Sequence, residues 1–165
     1  MENLLGLFLS SAPKNKKQAL AQEVLKDFVQ TYVRTTLPVL CDPEDLSAYI
    51  RSFLNPADYQ QEVFGYVSFD IRQQPISIGI VARGAQDTVS LSIAGLLREV
   101  LTSGKRVPVR FMVFHTHPAG KSNPSEADIV LTERLKEAGL LVGLTLIEHI
   151  ILAAGEFTPL AGRYF

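Results

Sequence analysis

Cysteine is almost absent from this chain of 165 residues. Cys41 is the sole cysteine, so no internal disulfide can form and no zinc ion can be held by a cage of thiolates. A nucleobase deaminase needs a cysteine pair among its zinc ligands, and that class is excluded on the same ground. A single thiol is compatible with a reducing compartment.

Neither sign of charge is in excess, because 16 basic residues stand against 17 acidic ones and the net charge is -1. That balance gives no electrostatic footprint for nucleic acid or an anionic membrane, so direct contact with either is not expected. The apolar run from Leu4 to Leu9 is too short to span a bilayer, and Glu2 precedes it where a secretory signal carries basic residues. Cytoplasmic localisation is the expectation.

What is present is a globular composition, with 47% hydrophobic and 20% charged residues, enough for one buried core. Apolar spacing predicts a helix over residues 16–33, and Asp42-Pro43 is a good start for a second helix that ends near Phe53. Asn123 is a candidate cap for a later helix that reaches Ala138 and stops at a left-handed Gly139. The remaining patterns predict strands over 62–70, 76–81, 107–114 and 144–153 and a helix over 91–101.

The segment from Phe114 to Asp128, FHTHPAGKSNPSEAD, carries the chemistry. His115 and His117 are two apart at a strand end, so their side chains point to the same side. Asp128 can supply a third ligand, which leaves one position open for water, as in a catalytic zinc site. The H-x-H pattern also begins the sites of amidohydrolases and metal-dependent phosphoesterases, but those need several further histidines and this chain has three in total. The pattern indicates a metal-dependent hydrolase.

The same residues resemble the JAB/MPN metalloprotease family, whose signature is H-x-H-P, six residues, then S-x-x-D. Here it reads His115-Thr116-His117-Pro118 and, after six residues, Ser125-Glu126-Ala127-Asp128. The pattern is closest to that of the RadC-like branch, which carries the motifs PSxxD, T-x-R-L-K and D-H-I-I. These three motifs resemble, in that order, residues 124–128, 132–136 and 148–151 of this chain. Thr116 and Ala119 stand where that branch usually has asparagine and serine. The resemblance covers residues 40 to 155.

The resemblance implies an α/β fold of three layers, α-β-α, with a curved mixed sheet, similar to cytidine deaminases. It implies one Zn²⁺ per chain with His115, His117 and Asp128 as ligands. Ser125 would support the tetrahedral intermediate, and Glu62 would be the general base. Residues 37–165 would form the catalytic domain after an N-terminal helical segment, 1–36. The expected reaction is hydrolysis of a peptide or isopeptide bond, so the expected partner is a peptide or protein-conjugate substrate.

Several alternatives stay open at this point. Glu148 rivals Glu62 as the base, because it lies on an apolar strand where a charge needs a reason. His149 is a candidate fourth ligand, a partner of a ligand, or a core histidine bonded within the strand layer. Ser125 is also a plausible helix cap with no further role. A non-catalytic or DNA-repair-associated RadC-like module using the same fold is the alternative function.

Overall fold

The computed structural model describes residues 42–84 and 92–161, with positions 13, 15, 16, 19, 20 and 23 before them. The chain divides into two compact units, Met1–Pro38 and Val39–Phe165, and the following description concerns the second. Most of the helix predicted over residues 16–33 lies outside the described residues. The domain boundary expected after residue 36 stays a prediction.

Three α-helices, one 3₁₀ helix and five strands make up the described part of the second unit. In chain order they are α1 (Pro43–Phe53), the 3₁₀ helix (Pro56–Tyr59), β1 (Val63–Phe69), β2 (Pro75–Arg83), α2 (Ile93–Thr102), β3 (Arg110–Thr116), α3 (Glu126–Leu141), β4 (Thr145–Leu152) and β5 (Phe157–Pro159). The strands form one sheet in the order β2-β1-β3-β4-β5. Only β3 and β4 pair in parallel, so the sheet is mixed.

The helices lie on both faces of this sheet, and the alternation of side chains along β1 explains why. Val63 and Val67 of β1 belong to a buried cluster with Leu46 and Ile50 of α1. The opposite face of the sheet, which includes Phe64, packs against α2 and α3. Register shifts in the pairing of β1 with β2 and of β3 with β4 are irregularities of the kind that bend and twist a sheet. The three-layer α/β fold implied by the family resemblance is confirmed.

Helix α1 begins and ends where the sequence predicts. The Asp42 side chain accepts a hydrogen bond from the backbone N–H of Glu44 at 2.8 Å, and Pro43 occupies the first turn. A side-chain cap satisfies one of the N–H groups that a helix start leaves without a partner. Among the described residues, no helix has the length and apolar character needed to cross a bilayer.

Other element boundaries differ from the sequence prediction. Strand β3 begins at Arg110 and not at Val107, because Pro108 has no N–H to donate to a neighbouring strand and Val107 is 81% exposed. Helix α3 is capped by Ser125 and not by Asn123.

Gly139 does not end α3 either. The helix continues to Leu141, and the glycine with positive φ is Gly143, at +77°. Gly139 instead lies against the sheet, where a Cβ atom would come within 2.8 Å of the Phe111 ring. The small residue is needed for close packing of the helix and not for a left-handed turn.

Candidate metal centre

Two histidines of the motif lie at the carboxyl end of β3, the middle strand of the sheet. The His117 N–H donates to the carbonyl of Leu152 at 2.8 Å, so the backbone stays extended past the last residue of β3. The side chains of His115 and His117 therefore project from the same face, as the sequence predicts. Their Nε2 atoms lie 2.9 Å apart.

Asp128 reaches these histidines from the first turn of α3. One carboxylate oxygen, Oδ2, accepts hydrogen bonds from the N–H of Ser125 at 2.8 Å and from the Ser125 hydroxyl at 2.6 Å. The Ser125 oxygen accepts in return from the N–H of Asp128 at 3.2 Å, which closes a capping box. The other oxygen, Oδ1, lies 3.1 Å from Nε2 of His115. The helix start thus fixes the direction of the carboxylate.

The side chains of His115, His117 and Asp128 could hold one metal ion. The Nε2 atoms are separated by 2.9 Å, and they lie 3.1 Å and 3.8 Å from the nearest carboxylate oxygens. All three separations are shorter than twice a zinc–ligand bond of about 2.0–2.2 Å, so a single ion can touch all three groups. Two imidazoles and a carboxylate are also a donor set that divalent transition metals accept.

The electrostatics of the site favour an ionised carboxylate. Burial raises the pKa of Asp128, but the hydrogen bond and charge of His115, with the hydrogen bonds from Ser125, outweigh it and hold the pKa well below its usual range. The side chains are 7% exposed for His115, 15% for Asp128 and 21% for His117. The site is therefore sheltered from solvent without being closed.

His149 is a partner of a candidate ligand and not one of the three groups that converge. It lies on β4, is fully buried, and its Nε2 is 2.8 Å from Nδ1 of His115. Its Nδ1 is 2.6 Å from the hydroxyl of Thr132 on α3. Complete burial, with the nearby His115, lowers the pKa of His149 well below its ordinary value. Phe64 stacks on His115, with ring planes 11° apart, and its ring also makes an edge contact with His149.

A pocket of about 320 Å³ opens beside the candidate ligands. Its lining residues are Glu62, Phe64, His115, His117, Ser125, Ala127, Asp128 and Leu131. The sequence-predicted base, Glu62, and the sequence-predicted oxyanion donor, Ser125, thus share one pocket with the ligands. Their catalytic roles stay predictions.

The rival glutamate, Glu148, has a structural environment of its own. Its Oε1 accepts hydrogen bonds from the N–H groups of His149, Leu160 and Ala161 at 2.7, 3.0 and 2.8 Å. The residue is buried, and it is absent from the lining of the pocket. The Glu148 carboxylate therefore binds the backbone after β5, which explains the charged residue on this apolar strand. The sequence alone did not reveal this role.

Two further residues position the site, and sequence reasoning did not identify either. The buried hydroxyl of Thr116 accepts from the N–H of Val63 at 2.9 Å and lies 2.8 Å from the carbonyl of Gln61, the two residues that flank Glu62. Glu156 accepts from the N–H of Ser122 at 2.7 Å and so ties the loop between the ligands to the turn before β5. The sequence feature that could have identified Thr116 as a positioning residue is its place between the two histidines.

Comparison with known proteins identifies the family of this chain. A family model described as a RadC-like JAB domain matches residues 40–164 and confirms the resemblance read from the motif. UPF0758 proteins of Halorhodospira halophila and Nitrosococcus oceani are 34% and 33% identical over 126 and 125 residues, in each case 76% of this chain and 54% of the relative. A UPF0758 protein of Marinobacter nauticus is 33% identical over 75% of this chain and 53% of its own length. The chain spans about half the length of these relatives. It belongs to the family of RadC-like JAB domains.

Proposed function

We propose that this domain is a zinc-dependent metallohydrolase that cleaves peptide or isopeptide bonds. One observation carries the proposal: Nε2 of His115, Nε2 of His117 and the Asp128 carboxylate converge on one side of a pocket that Glu62 also lines. A metal site with a carboxylate beside it, open to a cavity, has the parts that hydrolysis requires. The substrate would be a peptide or a protein conjugate, and the compartment would be the cytoplasm.

Zinc suits this donor set because two imidazole nitrogens and one carboxylate oxygen are the protein ligands of several catalytic zinc sites. When bound, the ion supplies a Lewis acid that lowers the pKa of a water molecule to roughly 7. The side chains of the domain then have three tasks. They hold the ion, move a proton and stabilise the charge that develops on the substrate oxygen.

Glu62 is the proposed general base. Its carboxylate accepts a proton from the attacking water and delivers it to the leaving nitrogen as the C–N bond breaks. Ser125 lines the same pocket, and its hydroxyl would turn from Asp128 to donate a hydrogen bond to the oxygen of the tetrahedral intermediate. Glu148 does not compete for the base role in this proposal, because its Oε1 is already bonded to three backbone N–H groups.

The first experiment is elemental analysis of the purified protein and of two ligand variants. The native protein is expected to retain about one zinc per chain, and His117→Ala and Asp128→Ala are expected to lose it. An Asp128→Ala protein that kept a full equivalent of zinc would remove Asp128 from the ligand set. If the native protein took up no metal even when supplied with zinc, the metallohydrolase proposal would fail.

The second experiment measures hydrolysis of fluorogenic peptides and of peptides branched through a lysine isopeptide bond. Glu62→Gln is expected to keep zinc but to lose about 10²- to 10⁴-fold in rate, the usual contribution of a general base. Glu99→Gln is the matched control, since Glu99 is exposed on α2 and absent from the pocket lining. A native protein that held zinc and cleaved none of these substrates would favour the non-catalytic RadC-like module.

A further inference from the structure

A chain of three short hydrogen bonds connects two of the candidate ligands through the interior of the domain. Nδ1 of His115 is 2.8 Å from Nε2 of His149. Nδ1 of His149 is 2.6 Å from the hydroxyl of Thr132, and that hydroxyl donates to the backbone carbonyl of Asp128 at 2.6 Å. His115, His149 and Thr132 are 5%, 0% and 1% exposed. Water therefore does not compete for these bonds.

The last acceptor in this series of hydrogen bonds, the backbone carbonyl of Asp128, determines which atom donates and which accepts in every bond. The Asp128 carbonyl can only accept, so the single proton of the Thr132 hydroxyl is used there and its oxygen accepts from Nδ1–H of His149. A charged His149 ring without a counter-charge at this depth would be costly, so the ring is neutral. A neutral imidazole that donates through Nδ1 accepts through Nε2. His149 therefore accepts from Nδ1–H of His115. With Nδ1 donating, Nε2 is the nitrogen of His115 left to bind a metal ion, and it faces His117 and Asp128.

We infer that His149 and Thr132 are positioning residues that hold His115 as its Nδ1-protonated tautomer, with Nε2 ready to bind a metal ion. The inference rests on the proposed metal site, although it does not depend on hydrolysis. Histidine ligands commonly donate the N–H of their second ring nitrogen to a carboxylate, a carbonyl or water. Here the acceptor is a second histidine, whose own tautomer is set by a hydroxyl on the helix that carries Asp128.

The inference predicts a long-range effect of one nearly isosteric substitution. In Thr132→Val the hydroxyl is lost, so Nδ1 of His149 no longer has an acceptor in α3. His149 can then carry its proton on Nε2 and donate it to His115, which places the His115 proton on the atom that must bind the metal. We expect zinc affinity to fall about 10- to 100-fold, the usual effect of losing such a partner. Thr132→Ser keeps the hydroxyl and is expected to bind zinc as the native protein does.

Two measurements test the inference. The first is the zinc dissociation constant of the native protein, Thr132→Val and Thr132→Ser, by competition with a chromophoric chelator. The second is the ¹⁵N shift of the His115 ring nitrogens in the metal-free protein, which reports the tautomer directly. The assignment is tractable because the chain has three histidines. His149→Gln and His149→Leu extend the series, since the glutamine oxygen can accept from His115 and leucine cannot.

The native metal-free protein is expected to show the His115 proton on Nδ1, and Thr132→Val a mixture of tautomers. A His115 ring protonated on Nε2 and not on Nδ1 in the native protein would overturn the inference, as would a Thr132→Val variant with the native tautomer and native zinc affinity. The tautomer is read without metal, so it decides the inference even if zinc is not the ion bound. Native protein that has this tautomer and binds zinc but cleaves no substrate would refute the hydrolase proposal alone.

Discussion

At the scale of single residues, the hydroxyl of Thr116 holds the backbone on both sides of Glu62. In Thr116→Val the N–H of Val63 loses its buried acceptor, so we expect the free energy of unfolding to fall by about 1–3 kcal/mol. Urea denaturation measures this change, and Thr116→Ser is the control that keeps the hydroxyl. Zinc content should be unchanged while hydrolysis falls, because the metal ligands stay in place and Glu62 does not. Equal stability of the valine and native proteins would contradict this account.

Glu148 offers a residue-scale test of which glutamate is the base. Glu148→Gln retains an oxygen that accepts the three backbone N–H groups, so zinc content and hydrolysis are expected to stay near native values. Glu148→Leu removes the acceptor and should cost about 2 kcal/mol or more, since hydrogen bonds to charged groups contribute about 1.5–3 kcal/mol each. Activity measured beside urea denaturation separates the two effects. Loss of hydrolysis in a stable, zinc-loaded Glu148→Gln would return the base role to Glu148.

Among the site residues, those whose signal is local in sequence could be predicted and the others could not. The spacing of His115, His117, Ser125 and Asp128 predicted a cluster that the structure brings together and that could hold a metal ion, because these residues lie on one strand end and the next helix start. The bond between His149 and Thr132 depends on how α3 packs against β4. A single sequence does not encode that contact in any short pattern, so His149 could only be named as a possible partner.

At the scale of elements, Gly139 sets the distance between α3 and the sheet. A Cβ atom there would come within 2.8 Å of the Phe111 ring and 2.9 Å of the Leu144 carbonyl. We expect Gly139→Ala to destabilise the domain by about 1–3 kcal/mol through overpacking, even though alanine is the better helix former by about 1 kcal/mol. Thermal unfolding would show a lower midpoint. Gly155→Ala, where a Cβ atom meets nothing within 4 Å, is the matched control and should unfold near the native midpoint.

The same glycine shows why some element boundaries could be predicted and others not. Helix α1 was placed correctly because Asp42 and Pro43 act on the adjacent backbone. The predicted end of α3 was wrong because Gly139 packs against Phe111, a residue on another element. Strand β5 has three residues and is defined by its pairing with β4, so it has no local pattern strong enough to reveal it.

At the scale of the whole molecule, a bound metal should stabilise the fold by mass action. Zinc at 100 times its dissociation constant would add about 2.7 kcal/mol if it bound only the folded state. For a chain of this size each kcal/mol raises the unfolding midpoint by roughly 2–4 °C, so the expected rise is about 5–11 °C. Differential scanning calorimetry with and without zinc measures it. Asp128→Ala should show no such rise, and an equal rise in that variant would place the metal elsewhere.

The three candidate ligands lie within fourteen consecutive residues, 115–128. Closing so short a loop costs little chain entropy, so an unfolded chain keeps some ability to capture a metal ion. Glu62 is brought to the ligands by the pairing of β1 with β3, which sets Phe64 opposite His115, and by the bond from the Val63 N–H to the Thr116 hydroxyl across 53 residues of sequence. Such distant pairings form slowly because the loop must close before the contacts stabilise it. We therefore expect metal capture by the short segment to precede the arrival of Glu62, which needs the assembled sheet.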